Sequence, residues 1–197
     1  MARHIRYLLV FAVAALMAGC AGTNFKRPDA GALTTGKSTF ADVTRVMGPP
    51  EQTGEGLKNG EKLRHLRYVY AEGAGVGRYP GVVPARAMVF SLFNDLVVAQ
   101  EFVSSFPEDA TDFDESKVSA IVTGRSSRAD VLRALGNPNG DAIHPVIRNR
   151  GEVAILYSYS HAKGSAFNMK FYAKSLLVSF GPDGVVSDVE FSSSGEK

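Results

Sequence analysis

The stretch GALTTGKS, residues 31–38, places Gly31, Gly36, Lys37 and Ser38 at the spacing G-x-x-x-x-G-K-[ST]. In that pattern backbone amides and a lysine cradle phosphates, provided a strand leads into the loop and a helix leaves it. Here the polar, proline-containing NFKRPDA precedes Gly31, so the motif reads as a turn into a helix. GAGVG, residues 73–77, lacks the third glycine of a dinucleotide fingerprint and stands between two strands. His65, His144 and His161 stand apart without ligand spacing, and His65 alternates with core residues, so it is expected to face solvent. The chain has neither H-E-x-x-H nor G-x-S-x-G. EDATDFDE, residues 108–115, has the acidity of a calcium loop without its glycine and spacing, and reads as a solvated linker. With no nucleophile, base or metal set in view, the expectation is a protein that is not an enzyme and uses no cofactor, metal or nucleotide.

The chain has one cysteine, Cys20. Before it come Arg3, His4 and Arg6 and then YLLVFAVAALM, an apolar run of eleven residues. That is too short to span a bilayer, which takes about 20 residues, and has the length of a signal-peptide core. LMAGC at its end resembles the lipobox of bacterial lipoproteins, with Met17 where leucine is usual. The resemblance implies cleavage before Cys20, acyl chains on that residue, and no thiol left over. Alanine rather than aspartate at position 21 implies the outer membrane, facing the periplasm. Without Arg3 and Arg6, the 22 basic residues fall to 20 against 20 acidic ones, so no net field steers the mature chain onto nucleic acid. AGTNFKRPDA, with Cys20, reads as a tether over 20–29.

Two segments repeat. TTGKSTFADVTRVMGPP (34–50) and VTGRSSRADVLRALGNP (122–138) share nine of seventeen positions at an offset of 88, among them Gly36, Ser38, Asp42, Val43, Gly48 and Pro50. At an offset of 89, Tyr68 and Tyr70 meet Tyr157 and Tyr159. In each copy Thr39 with Asp42, or Ser127 with Asp130, forms a capping box that starts a helix. Gly48 and Pro50, or Gly136 and Pro138, stop it. Segments 30–35 and 114–121 suggest a short helix before each. RHLRYVY, AMVFSLF and VVAQEFV read as three strands in the first copy. The segment around Ile155, Tyr157 and Tyr159, then SLLVSF and VVSDVEF, match them in the second. ND and GPDG supply hairpin turns. The tyrosines alternate onto one face, which marks them as core. The expected fold is therefore α+β: two tandem ααβββ repeats, 30–106 and 114–197, joined by a linker at 107–113. Each would be a three-stranded antiparallel meander with its helices on one face.

The pattern Gly36-x-Ser38-x-x-x-Asp42-Val43-x-x-x-Met47-Gly48-x-Pro50, followed by the aromatic strand YVY, resembles the small-protein-A/outer-membrane-lipoprotein-A (BamE-like) family, and Gly124, Asp130, Val131, Leu135, Gly136 and Pro138 repeat it. The doubled unit is similar in architecture to β-lactamase inhibitor proteins. These resemblances imply a lipid-anchored envelope protein that binds or scaffolds other proteins in outer-membrane assembly or maintenance. The alternative is an inhibitor or ligand-binding module that captures an enzyme or wall fragment on its sheet. Partners would be the membrane, through Cys20, and envelope proteins. Loops 71–85 and 161–174 are the longest in their repeats, which makes Tyr79, Phe167, Met169 and Tyr172 the expected partner contacts.

Overall fold

The computed structural model describes residues 22–165 and 167–196, and Cys20 with the segment before it lies outside them. Helices α1 (Phe40–Met47) and α2 (Arg128–Leu135) begin at the two capping boxes. The cap amides of Thr39 and Ser127 donate to the carboxylates of Asp42 and Asp130 at 2.8 and 2.9 Å. Both helices end at a glycine with φ near 80°, Gly48 and Gly136, a conformation that a Cβ disfavours. Each buries one valine completely, Val43 or Val131.

The strands are β1 (Gln52–Lys58), β2 (Glu61–Ala71), β3 (Val82–Val83), β4 (Ala85–Phe93), β5 (Leu96–Ser104), β6 (Gly140–Ile143), β7 (Val153–Ser165), β8 (Asn168–Phe180) and β9 (Val186–Gly195). They form a single antiparallel sheet in the order β1-β2-β4-β5-β6-β7-β8-β9, with β3 pairing β7 across one end. The sheet curls into a half-barrel. Alternation sends Leu66, Tyr68, Phe90 and Phe102 to the helix face of one half, and Ile155, Tyr157, Leu176 and Val178 to that face of the other. On the opposite face, Val146 and Ile147 pack against Ala99, Ala142, Ala154, Leu156 and Leu177.

The two ααβββ units are thus corrected in three respects. Each half contributes four main strands to one continuous sheet, because β5 pairs β6 in the register Ala99↔Ala142, Gln100↔Asp141, Glu101↔Gly140. The extra strands, β1 and β6, escape the alternation rule for opposite reasons. QTGEGLK is an edge strand with almost no buried position, and GDAI is only four residues long. The β1–β2 hairpin turns on Asn59 and Gly60 at φ 50° and 83°, which fits the mirror-image turn that Asn-Gly favours. The short leading helices are likewise absent as α-helix: residues 30–35 form turns, and a 3₁₀ segment spans Glu115–Ala120.

The repeat itself is written in hydrogen bonds. The hydroxyls of Tyr68 and Tyr157 donate to the carbonyls of Gly48 and Gly136, both at 2.8 Å. The amides of Gly36 and Gly124 donate to Val97 and Val186. The correspondence reaches upstream of residues 30 and 114. Phe25 sets its ring edge on Tyr68 as Phe113 leans on Tyr157, and Arg86 donates to the Phe25 carbonyl as Lys174 does to that of Phe113. Residues 22–27 and 110–115 are therefore packed segments, one against each half. The acidic linker is a strap and not a solvated tract: Asp109 meets Arg86, Asp112 meets Lys174, and Glu115 accepts from Tyr172.

Candidate binding face

The face turned away from the helices carries two hollows. Pairing register puts Val69, Ala87, Val103, Ser160, Ala162 and Ala173 on it in neighbouring strands. Because these side chains are small, the curled sheet leaves a groove of about 490 Å³ along them, with Phe171 at its rim. A second hollow of about 530 Å³ continues between Glu101, Leu156, Ser158, Ser175 and Ser192. Much of the strand length beneath both is paired, but β9 is an outer strand of the sheet and β5 pairs with β6 only as far as Glu101.

Glu101, with Glu190, is a carboxylate of this second hollow. It accepts a hydrogen bond from the Ser158 hydroxyl, and burial pushes its carboxyl above the ordinary range despite that bond. Next to it Asn139 joins the two halves. Its side chain donates to Phe102 O at 2.5 Å and Ser158 O at 2.7 Å and accepts from the Ser158 amide at 2.9 Å. The sequence reading passed over both residues. The signal available for Asn139 was its place one residue after the shared proline, where the first copy has Glu51.

On the helix face, at the β3 end, Tyr79, Tyr159, His161 and Tyr172 form a run of ring contacts with centroids 5.4–6.3 Å apart. Neither ring nitrogen of His161 has a hydrogen-bond partner among the described residues, and burial lowers its pKa first, with the Lys163 charge acting in the same direction. The Tyr159 hydroxyl is also unpartnered. Burial, then the Asp112 charge, raises its pKa.

The expected contact residues separate here. Segment 161–174 is not a loop but the β7–β8 hairpin. Tyr172 is buried within it and bonded to Glu115, which removes it from the surface. Tyr79 lies in a true loop, yet its hydroxyl donates to Asp112 and its ring meets Tyr159. Met169 is half-buried, whereas Phe167 is fully exposed. Cys20 lies outside the described residues. His65 is not turned wholly to solvent, because it sits half-buried on the open face with Nδ1 3.0 Å from the Ser91 hydroxyl. In the phosphate-loop look-alike, the amides of Gly36, Lys37 and Ser38 all donate to carbonyls, of Val97, Thr34 and Thr34. Among the described residues no group of three or more histidines, cysteines or acids could hold a metal ion.

No protein-family model and no curated protein matches the chain. Among solved structures it is similar to a Streptococcus mutans protein provisionally described as a beta-lactamase inhibitor protein. The two share 10% identity at a TM-score of 0.38, over 93% of this chain and 96% of that one.

Proposed function

We propose that this chain is a non-enzymatic lipoprotein, anchored through Cys20 in the outer membrane and facing the periplasm, that binds other envelope proteins on the open face of its sheet. The observation that carries the reading is the groove itself: a concave surface of alanine, valine and serine spanning both halves. Small side chains on a rigid sheet create shape without mobile groups to order, which lowers the entropic cost of binding. Glu101 lies in this surface bonded to the Ser158 hydroxyl, and Lys58 and Glu190 line the same hollow. The resemblance to the small-protein-A/outer-membrane-lipoprotein-A family supports a role in assembly or maintenance of that membrane. A second reading, capture of a small ligand such as a wall fragment, is favoured by the groove volume, which falls in the range of about 300–1,000 Å³ common to ligand pockets.

A photo-crosslinking residue at Ala87 or Val103, in cells, separates these. Adducts with specific envelope proteins, absent when the residue is moved to exposed Lys37, support protein binding. Adducts with wall fragments alone support the second reading. No adduct at either groove position overturns both.

A further inference from the structure

The tether is not free. Gly22, at φ 67°, lies so close to the Val69 carbonyl that a Cβ would stand 1.9 Å from its oxygen. The Thr23 amide donates to Glu51 at 2.8 Å, and the same carboxylate accepts from Val69 at 2.9 Å. Phe25 is packed against Tyr68 and Phe102. Only two peptide links separate Cys20 from Gly22, a reach of about 8 Å. Anything that holds Cys20 therefore holds the body close by and beside one particular end of the sheet, since Val69 is two residues from the end of β2.

That end is where exposed apolar groups gather. β3 closes it by pairing Val82 and Val83 with Lys163 and Ala162, and the Gly164 amide donates to Gly81 at 3.2 Å. Beyond this the β7–β8 hairpin continues with no strand beside it for about four residues, roughly 13 Å at strand rise. It carries Phe167 at 101% exposure and Phe171 at 67%, and Val76 at 81% stands in the loop leading to β3. Lys163 flanks the tip, as does Lys170, which is paired with Glu196. Aromatic side chains with basic neighbours favour the headgroup region, particularly over anionic lipid.

We infer that this end of the sheet faces the bilayer and that Phe167 rests in its interface, so that the lipid on Cys20 and the hairpin together fix one orientation with the binding groove held near the membrane surface. The inference rests on the reading of Cys20 as lipidated. The chain has no tryptophan, so a single introduced indole reports cleanly. The acylated full chain carrying Phe167→Trp is reconstituted into phosphatidylethanolamine–phosphatidylglycerol vesicles with or without brominated acyl chains. Leu57→Trp, on the exposed edge strand at the opposite end, is the reference. The expected result is quenching of Phe167→Trp by the brominated chains, since an interfacial side chain reaches the headgroup/acyl boundary, and none for Leu57→Trp. A further variant combining Phe167→Trp with Phe25→Ala, which frees the tether, should stay on the vesicles and lose part of that quenching. Vesicle-bound, acylated protein with an unquenched indole at position 167 overturns the orientation alone. A wild-type chain that cells leave without acyl groups overturns the anchoring and the orientation together. Protection of position 167 by an envelope protein, with no lipid quenching, assigns the hairpin to a protein partner instead.

Discussion

Asn139 does for the second half what Glu51 does for the first. Each accepts the amide of the matching β-strand residue, Ser158 or Val69, but Asn139 also donates to carbonyls on both sides of the junction. Asn139→Ala strands those three groups in a buried place, and a loss of roughly 3 kcal/mol in urea unfolding is expected. A cost no larger than that of an ordinary surface change would show that the junction does not depend on it. Glu101 works in the opposite sense. Its carboxyl titrates higher in the folded chain than in the unfolded one because burial disfavours the charge. Folded stability is therefore present below the unfolded value, about 4.3, and is lost as pH rises through the folded value. Glu101→Gln keeps a hydrogen-bonding group for Ser158 and carries no charge. Its melting temperature should match wild type near pH 4 and exceed it increasingly toward neutrality; a constant offset across that range would contradict the argument.

At the scale of elements, the two helices depend on their caps because each is only eight residues long, too short to persist alone. Hydrogen bonds from the Ser127 hydroxyl and amide, then from Arg133, hold the Asp130 carboxyl down at about 2. A depressed carboxyl contributes stability above its unfolded value, about 3.9, and loses that contribution as pH falls through the folded value. The stability difference between wild type and Asp130→Asn should thus be full near pH 5 and close as pH approaches about 2, read from urea midpoints. Ser127→Ala removes the reciprocal half of the box and should cost about 1 kcal/mol. The closure of the pH difference is the more telling of the two, since it reports the charge and not merely the helix.

At the scale of the whole molecule, a sequence repeat does not make two independent units. The β5–β6 pairing runs the sheet through the junction, and the strap from Ser104 to Glu115 connects Arg86 of one half with Lys174 and Tyr172 of the other. Unfolding should therefore be one transition, with far-ultraviolet ellipticity and tyrosine fluorescence moving together. Two separated transitions would mean that the halves are coupled only loosely.

Much of this was legible in the chain, and for local reasons. A hydroxyl three residues before an aspartate, a glycine then a proline, and tyrosines two apart are rules that a few neighbouring residues satisfy among themselves. The helices, six of the strands and the buried Tyr68 and Tyr157 follow from them. What the sequence could not show is how the second hairpin edge meets the first. Polar β1 and four-residue β6 have no periodic face of their own and become strands only because a partner strand lies beside them. The strap reads as solvated because its acids look free, yet their cations arrive from strands about 20 to 60 residues away. The groove exists for the same reason: alanines and serines scattered over β2, β4, β7 and β8 mean nothing singly, and become a concave surface only when the sheet curls and brings them side by side.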